Sequence, residues 1–189
     1  MSGITLGNAN GTSLHLSSVE YFIGSESLKT RIPLDGPLPA SLMPLDITTG
    51  FNPTDLMSFS WQEFTIVDWL RHISQPEIMS ADPTHDFTRS IEWAERILSV
   101  LSAVWLSPSD ELHGLVKSTF GDKNCIPTSH RLCCPEESFL PSANFTLFRD
   151  LDLPIIQFTG GLETMGGMEG ILSLIGVRKN VPPQLLLDR

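Results

Sequence analysis

Lysine and arginine are scarce in this sequence, and their scarcity argues against one class of function. Only 12 of the 189 residues are basic, against 22 acidic ones, which gives a formal net charge of −10. The basic residues are scattered, and no cluster is denser than Arg178-Lys179. Because affinity for nucleic acid comes mainly from lysine and arginine that neutralise phosphates, the sequence disfavours a surface that grips duplex DNA.

Cysteines, long apolar runs and a leader sequence are also lacking. The three cysteines are an odd number, and Cys133 and Cys134 are adjacent, so we expect no disulfide framework and a reducing compartment. The longest apolar runs, 97–106 and 171–175, fall well short of the roughly 20 residues that a membrane-spanning helix needs. The N-terminus has no positive charge followed by an apolar stretch. We therefore expect a cytoplasmic or nuclear protein that does not contact membranes.

Cys125, His130, Cys133 and Cys134 lie close together in the sequence and are its candidates for a metal site or a nucleophile. Structural zinc usually needs two Cys-x2-4-Cys or His-x3-5-His pairs, and this cluster does not have that spacing. Adjacent cysteines on a strand also point to opposite faces. No base or orienting group can be assigned to Cys125 or His130. The sequence therefore predicts no metal site in this cluster.

Two further patterns associated with chemistry are incomplete. The glycine-rich stretch 159–167 follows a predicted strand and precedes a predicted helix, but it lacks the Lys-Ser/Thr ending of a Walker loop, so we interpret it as a flexible connector. The carboxylate pairs Asp110-Glu111 and Glu136-Glu137 are adjacent in sequence and point apart on regular structure. We predict that the chain is not an enzyme, with no catalytic, cofactor-binding or metal-binding residue, no cofactor and no small-molecule ligand.

The apolar patterning predicts an α+β fold in three parts. Residues 1–58 are extended and interrupted by prolines, with one strand at 14–23 that lacks an evident partner, so we expect an incomplete segment whose partners lie upstream or in another chain. Residues 59–141 are predicted to form a winged-helix-like unit of three helices and a β-hairpin. Residues 142–189 are predicted to form a truncated strand-loop-helix segment.

The three helices of the predicted winged-helix-like unit carry recognisable start signals. Thr65, with Asp68 three residues on, predicts a capped helix that ends near Ser74. Apolar residues at helical spacing predict a second, mostly buried helix over 91–105. Ser107 followed by Pro108 predicts a third helix. The remaining predicted features are a stop of that helix at Gly121, hairpin strands at 125–128 and 132–134, a strand at 152–158, a helix at 168–175 closed by Gly176, and another helix that starts at 181–183.

Five short segments occur in a succession that resembles one protein family. The five segments are Trp61 to Leu70, Cys125 to Thr128, Pro135 to Phe139, Asp152 to Pro154 and Leu174 to Lys179. In this order and with similar spacing, they resemble the region downstream of the ATPase in fungal sacsin-like proteins, and the resemblance covers residues 38 to 189. Those large proteins join an N-terminal ATPase domain of the histidine-kinase and heat-shock-chaperone type to a long domain of unknown function.

The resemblance does not imply ATP binding by this chain. The family's ATP site needs a helical Glu/Asn box and an Asp-x-Gly-x-Gly loop, and neither occurs in this sequence. The chain also departs from the family in the predicted hairpin, where it has Arg131 and the family tends to have glycine. What the resemblance implies is therefore kinship with a chaperone-associated protein, without its enzymatic part.

These observations lead to two main hypotheses. The first is a non-catalytic segment or truncated paralogue of a sacsin-like ATPase that acts through protein partners, in chaperone-like or scaffolding work. The alternative is a winged-helix adaptor that binds nucleic acid or a nuclear partner. Its third helix carries Asp110, Glu111 and only Lys117, so packing against protein is favoured over contact with phosphates. An enzyme with an unrecognised site between Cys125 and His130 is the least favoured hypothesis.

Overall fold

Helices and small sheets occur together in both halves of the chain. The computed structural model describes residues 5–7, 13–129, 131–141, 153–159 and 166–180. The chain divides into two compact units, an N-terminal unit, Met1–Gln75, and a C-terminal unit, Pro76–Arg189. The mixture of helices with two-stranded sheets confirms the α+β class. Within the described ranges, no helix is both long enough and apolar enough to cross a bilayer.

Short strands and helices make up the N-terminal unit. Its strands are β1 (Thr5–Gly7), β2 (Ser13–His15), β3 (Tyr21–Phe22) and β4 (Gln62–Glu63). Its helices are α1 (Ser25–Lys29), α2 (Leu45–Thr48), α3 (Pro53–Ser58) and α4 (Ile66–Ile73). β1 pairs with β2 in antiparallel orientation, and β3 pairs with β4 in parallel orientation.

The strand predicted at residues 14–23 is not continuous in the structure. A 3-10 turn at Leu16–Ser18 separates β2 from β3. Ser18 donates its hydroxyl to the carbonyl of His15 at 2.8 Å, and such local bonds from serine compete with a strand ladder. The expectation that this segment lacks a partner within the chain is also wrong, because β2 pairs with β1 and β3 pairs with β4.

The capping box predicted for α4 is confirmed. The Thr65 hydroxyl accepts a hydrogen bond from the backbone of Asp68 at 3.2 Å, and the Asp68 carboxylate accepts one from the backbone of Thr65 at 3.1 Å. The helix begins just after β4, whose partner is β3, so it belongs to the N-terminal unit. The predicted boundaries after residues 58 and 141 thus differ from the observed division after Gln75, and the first predicted winged-helix element is separated from the others.

The C-terminal unit contains the long helices and the predicted hairpin. Its elements are α5 (Pro76–Ala81), α6 (Ile91–Val104), α7 (Asp110–Phe120), β5 (Ile126–Pro127), β6 (Leu132–Cys133) and α8 (Met168–Ile175). β5 and β6 pair in antiparallel orientation, so the hairpin is confirmed. α8 ends as predicted, because Gly176 adopts a left-handed conformation with φ of 101°. The helix predicted from residue 181 lies outside the described residues.

The predicted start of α7 is wrong by two residues. Ser109, rather than Ser107, is the N-cap, and its hydroxyl accepts a hydrogen bond from the backbone of Leu112 at 3.2 Å. This start places Asp110 and Glu111 in the first turn, where negative charge stabilises the helix dipole. The helix then ends at Gly121, as predicted.

A set of single bridges around Phe139 joins segments that are distant in sequence. Phe139 pairs in parallel orientation with Ile155 and with Arg178. The Phe139 backbone donates to Pro154 at 3.0 Å and accepts from Ile156 at 2.9 Å. In the strand predicted at 152–158, Ile155 bridges Phe139 and Ile156 bridges Thr128, while Asp152 lies outside the described residues. Because Phe139 is only 2% exposed, these bonds satisfy backbone groups that water does not reach.

Glycine permits α8 to approach the end of α6 closely. A Cβ atom added at Gly167 would lie 2.3 Å from the Ser102 carbonyl oxygen and 2.6 Å from the Trp105 Cβ. One added at Gly170 would lie 2.7 Å from the Trp105 Nε1. An added Cβ at Gly166, by contrast, meets nothing within 4 Å. The described glycines at the end of the 159–167 stretch thus differ sharply in the space around them.

This difference predicts that alanine is tolerated at Gly166 and not at Gly167. Gly167→Ala should lower the free energy of unfolding by about 1–3 kcal/mol, because the new methyl group displaces backbone of α6. Gly166→Ala is the matched control and should change it by less than about 0.5 kcal/mol. Urea unfolding followed by tryptophan fluorescence measures both. Equal effects of the two substitutions would contradict the close packing of α8 on α6.

Candidate functional site

The N-terminal unit contains an open apolar groove of about 970 Å³. We call it the apolar groove. It is formed by the turn before β3, by β3 itself, by α2 and α3, and by the segment that leads into β4. The residues that line it are Leu16, Ser17, Val19, Glu20, Tyr21, Met43, Ile47, Phe51, Leu56, Phe59, Ser60, Trp61 and Gln62.

The floor of the apolar groove is part of the core of the N-terminal unit. Val19, Met43 and Leu56 line the groove and belong to the same buried cluster as Phe22. The backbone of Met43 donates to Tyr21 at 2.9 Å, which holds this part of the floor against β3. Since core side chains pack closely and hold defined rotamers, the floor is a preformed surface.

Aromatic side chains form the rim of the apolar groove. Phe51 and Phe59 are 52% and 62% exposed, which is high for large apolar side chains. The rings of Phe59 and Trp61 stack with their centroids 5.0 Å apart and their planes at 30°. Ser60 lies between them with φ of 67°, in the left-handed region that non-glycine residues rarely adopt. The residue that joins the two stacked aromatic residues thus has a left-handed backbone conformation.

The described charged residues that line the apolar groove, or come just before a lining residue, are acidic. Glu20 is exposed and lines the groove. Asp46 and Asp55 are also exposed, and each comes one position before a lining residue. The sequence has no lysine or arginine between Arg31 and Arg71. The groove therefore combines an apolar floor with acidic flanks, and its own segments carry no basic residue.

A smaller polar cleft of about 290 Å³ lies in the same unit, with Tyr21, Asp68, Arg71 and His72 in its lining. Burial raises the pKa of Tyr21, and Asp68 adds to this effect. Burial lowers the pKa of His72, so its imidazole is neutral at pH 7. The Asp68 carboxylate caps α4 through Thr65 and lies 4.0 Å from Arg71. Asp68, one of the two acids that line this cleft with Glu20, is therefore engaged in stabilising a helix.

The three cysteines that the sequence offers as candidates differ in burial. Cys125 and Cys133 are buried and Cys134 is partly exposed, while His130 lies outside the described residues. The Cys125 thiol donates to the carbonyl of Phe120 at 3.5 Å, and burial raises its pKa to about 12. The described residues contain no group of three His, Cys, Asp or Glu side chains placed to hold a metal ion. Cys125 thus behaves as a core residue.

The described ends of the glycine-rich stretch are attached to α6. At one end, Thr159 donates its backbone N–H to the buried Glu95 carboxylate at 3.0 Å, and its hydroxyl donates to the other carboxylate oxygen. At the other end, Gly167 packs on α6. Residues 160–165, where the predicted connector lies, are outside the described residues. Among the carboxylate pairs, Asp110 and Glu111 lie at the start of α7, and Glu136-Glu137 lie exposed in a 3-10 turn.

Sequence reasoning did not find the apolar groove. Its floor residues Val19, Met43 and Leu56 are far apart in the sequence and share no periodicity. The available signal was local, since Phe51 and Phe59 lie in a segment rich in polar and turn-forming residues that has no lysine or arginine. Large aromatic residues in such a segment are candidates for an exposed contact surface.

The pKa of Cys125 leads to a prediction about thiol reactivity. Near pH 8.5, iodoacetamide should modify Cys134 in the folded protein and leave Cys125 unmodified, because only a thiolate is a good nucleophile. The pKa of the Cys125 thiol is near 9 in the unfolded chain and about 12 in the folded protein. Between those pH values the thiol ionises only on unfolding, so its contribution lowers the free energy of unfolding as the pH rises. Mass spectrometry of alkylated peptides measures the reactivity. Equal modification of both thiols would contradict the burial of Cys125.

The left-handed conformation of Ser60 leads to a second prediction. Ser60→Gly should leave the free energy of unfolding unchanged or raise it by up to about 1 kcal/mol, because glycine adopts this φ without strain. Ser60→Val should lower it by about 1–2 kcal/mol and weaken the aromatic near-ultraviolet circular dichroism of the Phe59–Trp61 stack. Urea unfolding and circular dichroism measure the two effects. Equal stability of the glycine and valine variants would contradict the conformation of Ser60.

Comparison with known proteins supplies a family and no named relative. Searches of curated proteins and of solved structures find no match to this chain. A family model described as "Protein of unknown function (DUF3684)" matches residues 4–189, which is nearly the whole chain. The match includes both compact units and the apolar groove. The chain therefore belongs to the DUF3684 family of proteins of unknown function.

Proposed function

We propose that this chain is a non-catalytic segment that acts by protein–protein contact, in chaperone-like or scaffolding work in the cytoplasm or nucleus. The resemblance to the region downstream of the ATPase in sacsin-like proteins motivates the chaperone-like part of the proposal. The apolar groove of the N-terminal unit is the single observation that carries the contact part. The proposal includes no cofactor, no small-molecule ligand and no catalytic residue.

The exposure of aromatic side chains beside a preformed floor supports protein contact. Single exposed apolar residues are common, but a concave apolar surface with Phe51, Phe59 and Trp61 on its rim is typical of an interaction site. Aromatic residues are also enriched in the parts of interfaces that contribute most of the binding free energy. A partner that covers Phe51 and Phe59 would remove both from water.

Nucleic-acid binding has less support. In the alternative hypothesis, α7 would enter the major groove, but its first turn carries Asp110 and Glu111 and its last turn carries Lys117 as the basic residue. The first helix of the predicted winged-helix-like unit, α4, belongs to the other compact unit. Packing of α7 against protein therefore fits its charge better than contact with phosphates.

An aggregation assay tests the proposed contact function. The purified chain should reduce the light scattering of a heat-unfolded model client in a concentration-dependent way. The double variant Phe51→Ser/Phe59→Ser should require roughly fivefold more protein for the same effect, because its exposed apolar contacts are lost. Leu106→Ser is the matched control, since Leu106 is 84% exposed and belongs to the C-terminal unit. The control should behave like the unmodified chain.

Two results would count against this function. The first is the absence of any effect of the unmodified chain on client aggregation. The second is equal activity of the unmodified chain and the Phe51→Ser/Phe59→Ser variant. A parallel titration with duplex DNA at low salt tests the alternative, and salt-sensitive binding at submicromolar concentration would favour the adaptor hypothesis instead.

A further inference from the structure

The apolar groove has properties that restrict the kind of partner it takes. We infer that it binds an amphipathic helix of a partner protein whose apolar face is flanked by lysine or arginine. This inference rests on the proposed contact function and adds the conformation and charge of the partner segment. Three observations carry it: the backbone hydrogen bonds of the lining residues, the shape of the apolar surface and the charge at its edge.

The lining residues offer few free backbone N–H groups to a ligand. Most of them donate their backbone N–H groups to other residues of the same unit, as Gln62 does to Glu20 at 2.8 Å and Tyr21 does to Ser41 at 3.3 Å. The lining residues that donate in this way are Val19, Glu20, Tyr21, Met43, Ile47, Phe51, Leu56, Phe59, Ser60 and Gln62. The groove therefore presents side chains to a ligand, and little of a free strand edge.

A ligand that satisfies its own backbone suits such a surface. An extended peptide that adds to a sheet gains affinity from main-chain bonds, and here the lining offers few of them. A buried amide or carbonyl group without a partner is costly. A helix bonds its own backbone and contributes only side chains, typically at positions i, i+3, i+4 and i+7. The aliphatic floor of Val19, Ile47 and Leu56 offers contacts for such a row of apolar side chains.

The acidic residues at the edge of the apolar groove indicate which charge the flanks of the partner helix carry. Glu20, Asp46 and Asp55 are exposed. Asp46 and Asp55 lie in a stretch of the sequence that has no lysine or arginine, whereas Glu20 also lines the polar cleft that contains Arg71. Opposite charges at the rim of an interface speed association and disfavour partners of the wrong sign. A second copy of this chain is a poor occupant, because each copy carries a net charge of −10. A basic amphipathic helix matches both the floor and the rim.

Fluorescence anisotropy with designed peptides tests this inference on the full chain. The main probe is a labelled peptide of about 18 residues, or roughly five helical turns, with leucine on one face and lysine on the other. Three peptides serve for comparison: a scrambled version of the same composition, a version with glutamate in place of lysine, and a proline-rich peptide with the same number of lysines. Circular dichroism reports whether the bound peptide is helical.

The expected result is selective binding of the leucine–lysine helix. Its affinity should fall when salt is raised from about 50 to about 500 mM, because the rim charges are exposed. Phe59→Ser should weaken binding about tenfold or more, and Leu106→Ser should leave it unchanged. Asp46→Asn/Asp55→Asn should weaken binding about three- to tenfold and flatten its salt dependence. The matched control is Asp110→Asn/Glu111→Gln, which removes two first-turn charges from α7 and should have no effect.

Three results would overturn the inference. Binding of the scrambled peptide as tightly as the helix would show attraction by charge alone. Tighter, Phe59-dependent binding of the glutamate or proline-rich peptide would show that the groove takes a different segment, and the proposed contact function would stand. If no peptide binds in a Phe59-dependent way, the groove no longer supports the contact function either, and the aggregation assay then decides that function by itself.

Discussion

Buried backbone groups must find hydrogen-bond partners, and this chain meets that requirement with strands of only two or three residues. Strands of this length form too few ladder hydrogen bonds to satisfy all the buried backbone groups of a core. In the C-terminal unit, the partners come instead from single bridges, in which Phe139 bonds to Pro154 and Ile156 and its neighbours bond to Arg178. In the N-terminal unit, β3 bonds to the segment at Ser41 and Met43 and to β4. The remainder of each unit depends on these few cross-connections.

The same constraint applies to short segments that are distant in the sequence of the C-terminal unit. Four of the five segments in which we propose a resemblance to sacsin-like proteins belong to the C-terminal unit, where bridges to Phe139 and to Thr128 join segments that are distant in sequence. The backbone of Gln157 bonds to Pro127, that of Phe139 to Pro154 and that of Leu140 to Arg178. Because each bridge is short, each segment has to provide a suitable backbone conformation at one position. The C-terminal unit is therefore held together by single backbone contacts between segments that are distant in sequence.

Local signals in the sequence were sufficient for the longer helices and the hairpin. The capping box of Thr65 and Asp68, the apolar stripe of α6 and the left-handed Gly176 all act within a few residues, and the structure places them as predicted. The start of α7 was ambiguous because Ser107 and Ser109 both precede suitable first turns. In the structure Ser109 is the N-cap: its hydroxyl accepts a hydrogen bond from the backbone of Leu112, and two acidic residues lie in the first turn.

Features that depend on contacts between distant residues could not be predicted from the sequence. The partner of β3 is β4, some forty positions away, and nothing in either short strand indicates the other. The apolar groove was missed for the same reason, since Val19, Met43 and Leu56 meet only after the chain has folded. The glycines near α8 were interpreted as a connector. Position 167 nevertheless requires glycine, because the Ser102 carbonyl oxygen of α6, far away in sequence, leaves no room for a Cβ atom. In each case the missing information was a contact between remote segments.

For the binding that we propose, the size of the exposed aromatic surface limits the affinity of the apolar groove. A phenylalanine buries about 150–250 Å² in full, so covering the exposed half of Phe51 and of Phe59 removes roughly 200 Å² from water, worth about 5 kcal/mol. Association itself costs on the order of 4–15 kcal/mol, so these two side chains alone do not sustain a lasting complex. The floor contacts and the acidic rim must supply the remainder, and rim charges are screened by salt. The physics of the groove therefore favours brief, salt-sensitive contacts, which suit transient engagement of partner segments better than permanent assembly.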